Sequence, residues 1–486
     1  MVRSRLVNGR DQRNPPLDKA WTCKSRLAKE VPNPEWLVQL LQSKAPAPEP
    51  RQAPETYLGS LRLYQQTALG FANHRPRTLL ALDCGLGKTH IGIAYLLQHL
   101  PAMVICPASL KASWHEHLAT YAPSAAGQVH VMSYNKMCRI PGVECIVVDE
   151  AHYLKQETSQ RSKLFRTLLE HCSRTLLLTG TPAQRNADLY HLLKILDPVH
   201  FSHFFHYGFK RQQGHFYFAE RYCVPQPVWI GGTRHGFKFT QNSHTEELAQ
   251  VCGRYMLRMK KEDVVTLPTL VTTAVMVGQA ANPQYFTTQW QAIEKVRDTQ
   301  GNRKADSALL ALCRETSQMK QPFVDIYVRD WIQENPTEKV IVFYHHREIG
   351  DHLQSILPVE YVRIDGKTSQ KKRTRLLQTF QHTPECQVGL FSLCATSTGL
   401  NLQFATKIIF VELTFLSVHH TQAEARIHRI GQIHKVSVDY LLMEGTTDTL
   451  LWKSLLAKRQ TERLLFDATR PRSVPTVPEE EELEPL

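Results

Sequence analysis

Three stretches of this chain carry residue types suited to phosphate chemistry. Gly85-Leu86-Gly87-Lys88-Thr89 pairs glycines, which let backbone N–H groups close on phosphate oxygens, with an ammonium for the β and γ phosphates and a hydroxyl for Mg²⁺. Asp149-Glu150-Ala151-His152 ends the apolar run Cys145 to Val148. A carboxylate pair at a strand end suits Asp149 to hold Mg²⁺ with Thr89, and Glu150 to orient or deprotonate an attacking water. Far downstream, Gln422 to Gln432 contains Arg426 and Arg429, three apart and so on one face of a helix. Such arginines suit the charge that develops on a γ phosphate. Each stretch also has an ordinary reading: a glycine turn, an acidic strand end, a basic helix face. Their fixed order argues for one split site for ATP and Mg²⁺.

The elements that must position them are legible as apolar runs. Thr78–Leu82, Ala102–Cys106, Val129–Ser133, Cys145–Val148 and Thr175–Leu178 form a first set. Lys339–Tyr344, Tyr361–Ile364, Val388–Leu393, Ile408–Val411 and Val436–Leu442 form a second. Continuous rather than alternating runs indicate strands buried on both faces. Helical patterns such as His90–Leu97, Ser162–His171 and Lys371–Phe380 separate them. The alternation predicts an α/β fold with parallel sheets, built twice.

The expected organisation has five parts. Residues 1–55 are an N-terminal extension, with a short helix at Pro34–Ser43 and alternating prolines from Ala45 to Pro50. Residues 56–275 are the first lobe, with a mostly helical aromatic and basic insertion at about 198–270. A helical connector spans 276–335, a second lobe 336–465, and a disordered acidic tail 466–486 ends in Glu479 to Glu482.

The net charge of +13 over 486 residues suits a polyanionic partner. Eleven scattered cysteines contain no Cys-x-x-Cys pair, which argues against a zinc ribbon and for a reducing compartment. His345-His346 and His419-His420 lack spaced partners, so chance pairing is the expectation for them. No apolar stretch is long enough to span a bilayer. Met1 to Arg13 lacks the apolar core of a secretory signal.

These motifs together resemble a superfamily 2 helicase-like ATPase of the Swi/Snf-related family, over roughly residues 58 to 455. Leu63-Tyr64-Gln65 resembles the adenine-recognition segment, with Gln65 reading the base. Asp83–Thr89 resembles motif I, and Cys106–Lys111 with Trp114 resembles motif Ia. Ser133-Tyr134 resembles Ib, Asp149–His152 motif II and Leu178–Pro182 motif III. Gly399–Leu402 resembles motif V, and Gln422–Gln432 motif VI. Arg185–Tyr190, Phe218–Cys223 and Met256 to Pro268 are similar to the annealing-helicase (HARP-like) branch. Leu82 stands where the fully spaced phosphate-loop pattern has glycine, and the chain departs from the family at Cys84, Phe415–Ser417 and Ala425, the last standing where the family has aspartate.

The resemblance implies two RecA-like lobes that hydrolyse ATP between them. Gly85, Gly87, Lys88 and Thr89 would bind nucleotide. Thr179, Thr181, Gly399 and Gln422 would couple hydrolysis to motion. The implied function is ATP-dependent translocation on double-stranded DNA, with strand annealing or remodelling of forked DNA. Motifs Ia, Ib and V and the loop Asp365–Thr368 would touch phosphates, with Lys210, Arg211, Arg258, Lys260 and Lys261 extending the track. The expected molecule is an intracellular monomer, in the nucleus or at sites of DNA replication. A chromatin remodeller, and a poorly cycling nucleic-acid clamp marked by Ala425, are the alternative readings.

Overall fold

The computed structural model describes residues 61–183, 185–202, 214–230, 233–300, 302–393 and 400–467. The expected Pro34–Ser43 helix, the proline stretch after it, Lys210, Arg211, Gly399 and the acidic tail lie outside these residues. In chain order the strands are β1 (Arg77–Leu82), β2 (Ala102–Cys106), β3 (Val129–Ser133), β4 (Cys145–Asp149), β5 (Arg174–Thr179), β6 (Cys223–Ile230) and β7 (Thr233–Asn242). They continue with β8 (Met256–Met259), β9 (Leu270–Gln279), β10 (Val340–Tyr344), β11 (Glu360–Ile364), β12 (Cys386–Ser392), β13 (Lys407–Phe410) and β14 (Val436–Glu444).

Two parallel six-stranded sheets result, ordered β3-β2-β4-β5-β1-β8 and β11-β12-β10-β13-β14-β9. The continuous apolar runs explain the double-sided burial. Along β1, β4 and β5, Leu79, Ile146, Val148 and Leu177 feed one core while Leu80, Val147, Leu176 and Leu178 feed another across the sheet. The second sheet repeats the pattern, with Ile341, Phe343, Ile408 and Phe410 on one side and Val340, Val342 and Ile409 on the other. Helices cover both faces, and Ser159 and Ser369 cap two of them by accepting from the backbone N–H of Ser162 and Lys372. The architecture is that of two RecA-like α/β lobes.

Three regions differ from the sequence reading. The stretch about 198–270 is not mostly helical. It holds the antiparallel hairpin β6–β7, and β8, which enters the first sheet beside β1. Strand β8 escapes notice because it is four residues long and Arg258 interrupts its apolar run. Strand β9 pairs with β14 in the second sheet, so the chain has changed lobes by Leu270 and the expected boundary at 275 falls inside a strand. An edge strand exposed along much of its length leaves no buried run to read. The helices Pro283–Gln300 and Asn302–Glu334 form a layer of the second lobe. Lys320, 1% exposed, reaches Asp448 at 2.7 Å and the Leu441 carbonyl at 2.9 Å, and Ser317 donates to Glu412 at 2.7 Å.

Candidate active site

Strand β1 runs into a loop whose backbone requires glycine. Gly85 has φ +97° and Gly87 φ +70°, both left-handed. A Cβ on Gly87 would meet the Gln65 Nε2 at 2.5 Å. The loop rests on the helix Leu63–Asn73, where the Tyr64 hydroxyl and the Gln65 amide both donate to the Leu86 carbonyl, at 3.1 and 3.2 Å. The Gln65 Oε1 accepts from the Arg62 N–H at 2.9 Å, so this side chain braces the phosphate loop. Lys88 opens the helix Lys88–Leu96, and its ammonium donates to the carbonyls of Leu82 and Asp83, at 2.8 and 3.2 Å.

The carboxylate pair stands at the end of β4. The Trp114 indole N–H donates to Asp149 Oδ2 at 2.9 Å, and the Glu150 N–H donates to Asp149 Oδ1 at 3.0 Å. The Tyr134 hydroxyl donates to the carbonyls of Asp149 and Glu150, at 2.8 and 3.1 Å. Glu150 itself has φ +55°, a left-handed conformation that costs a non-glycine residue about 1–3 kcal/mol. Burial, and then the neighbouring Glu150 charge, push Asp149 above the usual carboxylate range. Burial also acts upward on Glu150, but the hydrogen bond and charge of His152, with the charges of Lys88 and Arg426, outweigh it and hold Glu150 low. The His152 Nδ1 lies 3.2 Å from Glu150 and 3.3 Å from the Thr179 hydroxyl, which accepts from the Thr181 N–H at 3.2 Å.

The second lobe completes the cleft with the helix Ser417–Ile427 and the turn after it. Gln422 brings its Nε2 to 3.5 Å from Glu150 Oε1. A Cβ on Gly85 would lie 3.1 Å from the Arg429 Cβ, so the turn after the helix packs directly on the phosphate loop. The Arg429 Nε is buried without a hydrogen bond, and burial followed by the Arg426 charge lowers its pKa. Gln65, Gly85, Gly87, Lys88, Asp149, Glu150, Thr179, Gln422 and Arg429 thus surround one cleft. Thr89 follows Lys88 on the same helix, and Arg426 acts electrostatically on Glu150. The Thr181 hydroxyl is buried with no hydrogen-bond partner.

Several residues expected elsewhere belong to this site. Arg258 is 5% exposed and donates to Asp83 at 2.7 Å and to the carbonyls of Ala81 and Gly180, so it is not an exposed DNA contact. Lys261 is half-buried, and its ammonium reaches across to the second lobe. Tyr134, in the Ib segment, is a strut beneath the carboxylate pair. The Trp114 role was not legible, because an apolar helix position hides which polar atom an indole meets. The two histidine pairs are neighbours after all: His345 acts electrostatically on both His419 and His420, and His346 holds Glu412 at 2.6 Å. Among the described residues no cluster of three or more His, Cys, Asp or Glu could hold a metal by itself. No helix among them is long and apolar enough to cross a membrane.

The residues present fit a nucleotide with Mg²⁺. Two left-handed glycines form the cradle, and the buried Arg429 Nε awaits an acceptor. The Thr89 hydroxyl and the Asp149 carboxylate are hard oxygen donors of the kind Mg²⁺ takes alongside phosphate oxygens.

Known proteins carry related sequences. The SNF2-related domain family matches residues 133–324, and the helicase conserved C-terminal domain family matches 323–431. The SWI/SNF-related matrix-associated actin-dependent regulator of chromatin subfamily A-like protein 1 of Xenopus tropicalis is 30% identical over 443 residues, covering 83% of this chain and 45% of that protein. The human DNA annealing helicase and endonuclease ZRANB3 is 28% identical over 448 residues, covering 84% of this chain and 40% of that protein. The chain therefore spans less than half the length of these relatives. The solved Sulfolobus solfataricus SWI2/SNF2 ATPase core in complex with dsDNA aligns at 22% identity and a TM-score of 0.38, covering 87% of this chain and 96% of that one.

Proposed function

The chain belongs to the SNF2-related, helicase-like family, and from that premise we propose that it is a DNA-stimulated ATPase that translocates on double-stranded DNA and anneals or remodels branched DNA. The observation that carries the proposal is the seating of Arg429, from one lobe, on the Gly85 loop of the other. A site with walls on two lobes ties nucleotide chemistry to their closure.

The side chains divide the work as follows. Gly85 and Gly87 let the backbone approach the phosphates, and Lys88 leaves its carbonyl partners to meet them. Gln65 reads the adenine from the helix that braces the loop. Thr89 and Asp149 would hold Mg²⁺, which when bound would neutralise charge on the phosphate oxygens. Glu150, kept ionised by His152, Lys88 and Arg426, orients the attacking water. Arg426 and Arg429 stabilise charge on the γ phosphate, an effect that reaches ~10³–10⁵ in rate in related phosphoryl transfer. Thr179, Thr181, Gln422 and Gly399 relay the state of the site between lobes.

ATP touching both lobes binds the closed arrangement better, and that difference shifts the equilibrium. Alternating grip on DNA phosphates then moves the protein along a duplex, with nonspecific affinity of ~10⁻⁴–10⁻⁶ M that weakens with salt. We place this monomer inside the cell, in the nucleus or at replicating DNA, in keeping with the names of its relatives. The test is ATP hydrolysis with single-stranded, duplex and forked DNA and with RNA. Stimulation by duplex or forked DNA, lost in Lys88→Ala, is the expected result. Equal turnover with and without nucleic acid overturns translocation.

A further inference from the structure

Lys261 opens the four-residue helix after β8, in the first lobe. Its backbone N–H donates to Asp83 Oδ2 at 3.0 Å, and Asp83 is held on its other oxygen by Arg258. Its side chain leaves this anchor and passes the phosphate loop, where the Cε lies 3.9 Å from the Cβ position of Gly85. The ammonium then crosses to the second lobe and donates to the His428 carbonyl at 2.6 Å. His428 is the residue before Arg429. Its ring is held as well, the Nε2 lying 2.8 Å from the Pro268 carbonyl on the segment that leads into β9. The peptide that carries Arg429 is therefore held by Lys261 through its carbonyl, and its neighbouring side chain by Pro268.

An ammonium drawn partly out of water is retained where it has partners, and Lys261 is half-buried. Burial lowers the pKa of this lysine, and the cysteine and aspartate of the phosphate loop, Cys84 and Asp83, act in the opposite sense, together with Glu424 of the second lobe. The facing groups thus come from both lobes, and the ammonium donates across to the second. A DNA-tracking lysine would be exposed at its tip. This one is arranged as a strap between lobes.

We propose that Lys261 is a positioning residue that latches the two lobes through the His428 carbonyl and so sets Arg429 against the phosphate loop. The latch engages when the lobes meet and has no partner in the second lobe when they part. It makes the placement of Arg429 depend on the same loop, through Asp83, that receives the phosphates. The proposal rests on the ATPase reading for its kinetic consequence, but not for its structural one.

The experiment uses the full chain with one spin label on each lobe at exposed positions, alongside steady-state kinetics. Without nucleotide, Lys261→Met widens the interlobe distance distribution relative to wild type, while Lys261→Arg, which keeps a donor, restores it. In turnover with duplex DNA, Lys261→Met lowers kcat by about 10–100-fold, the weight of a charge-assisted hydrogen bond, with KM for ATP held within about threefold. Lys261→Gln, too short to reach His428, gives the same result and replaces the methionine variant if that one fails to fold. An interlobe distance unchanged in a folded Lys261→Met or Lys261→Gln variant overturns the latch. So does a rise in KM at constant kcat, which would make the ammonium a direct phosphate ligand, and so does an arginine variant as impaired as methionine. Failure of the wild type to hydrolyse ATP with any DNA overturns the ATPase reading instead, and leaves the distance measurement to decide the latch.

Discussion

Gly85→Ala separates closure from nucleotide binding. The new Cβ meets the Arg429 Cβ at 3.1 Å, tighter than ordinary contact, so the turn after Ile427 must retreat by a few tenths of an ångström. Overpacking of this kind costs about 1–3 kcal/mol, and it is levied only when the lobes are together. The left-handed backbone at residue 85, φ +97°, adds about 1–3 kcal/mol of strain that open and closed states share. The shared part cancels in kcat. The closure part does not, and at 1.4 kcal/mol per tenfold it lowers kcat by about 5–150-fold. KM for ATP stays near wild type, because the loss falls on an arrangement beyond simple binding. Gly87→Ala is the contrast. Its Cβ meets Gln65 Nε2 at 2.5 Å, within the first lobe, and displaces the amide that braces the loop. Losing that brace costs about 1 kcal/mol and appears in KM. ATPase assays at saturating duplex DNA, with both variants checked by circular dichroism, make the comparison. A Gly85→Ala enzyme with normal kcat and raised KM refutes the reasoning, because it would mean that Arg429 does not close on this loop during turnover.

Other variants test the supports. Trp114→Phe keeps an aromatic side chain but removes the N–H that Asp149 accepts at 2.9 Å; a hydrogen bond to a charged group is worth about 1.5–3 kcal/mol, and the half-saturating Mg²⁺ concentration in the ATPase assay rises by about tenfold or more. Lys320→Met strands Asp448, buried at 5% exposure of its side chain, and lowers unfolding free energy in urea by about 3–5 kcal/mol. Burial, then His345 and His152, hold His419 near a pKa of about 4, against an ordinary 6.5. Its folded pKa is below its unfolded one, so the unfolded state takes up protons first and stability falls as pH drops from 6.5 toward 4. His419→Leu flattens that acid limb by up to about 3 kcal/mol without loss at pH 7, read as melting temperature against pH, because the His419 Nδ1 is buried and unpartnered.

Where burial is symmetrical, residue type alone reveals structure. Ala102–Cys106 is a strand over the residues its apolar run predicts, because a parallel central strand has no polar face. The cleft residues were legible for a related reason: glycine before lysine, and paired acids after an apolar run, are uncommon unless a phosphate requires them. What stayed hidden depends on tertiary partners. Arg258 and Lys261 are written like surface charges, and the approach of β8 to Asp83 buries the first and draws the second between the lobes. Strand β9 is an exposed edge whose strand partner, β14, lies far along the chain. Tyr134 and Trp114 show aromatic bulk in the sequence, whereas their function lies in one polar atom each. Ala425 is 4% exposed, so an aspartate there would enter a buried position of the helix that carries Gln422 and Arg426.

In the proposed mechanism two lobes grip ATP at once. Distance measurement between labels on the two lobes, with and without a nonhydrolysable ATP analogue and Mg²⁺, tests it directly. The analogue is expected to narrow the distribution to one short distance, and Arg426→Ala with Arg429→Ala to abolish the narrowing while the first lobe still binds nucleotide. A distribution indifferent to nucleotide in the wild-type chain contradicts it.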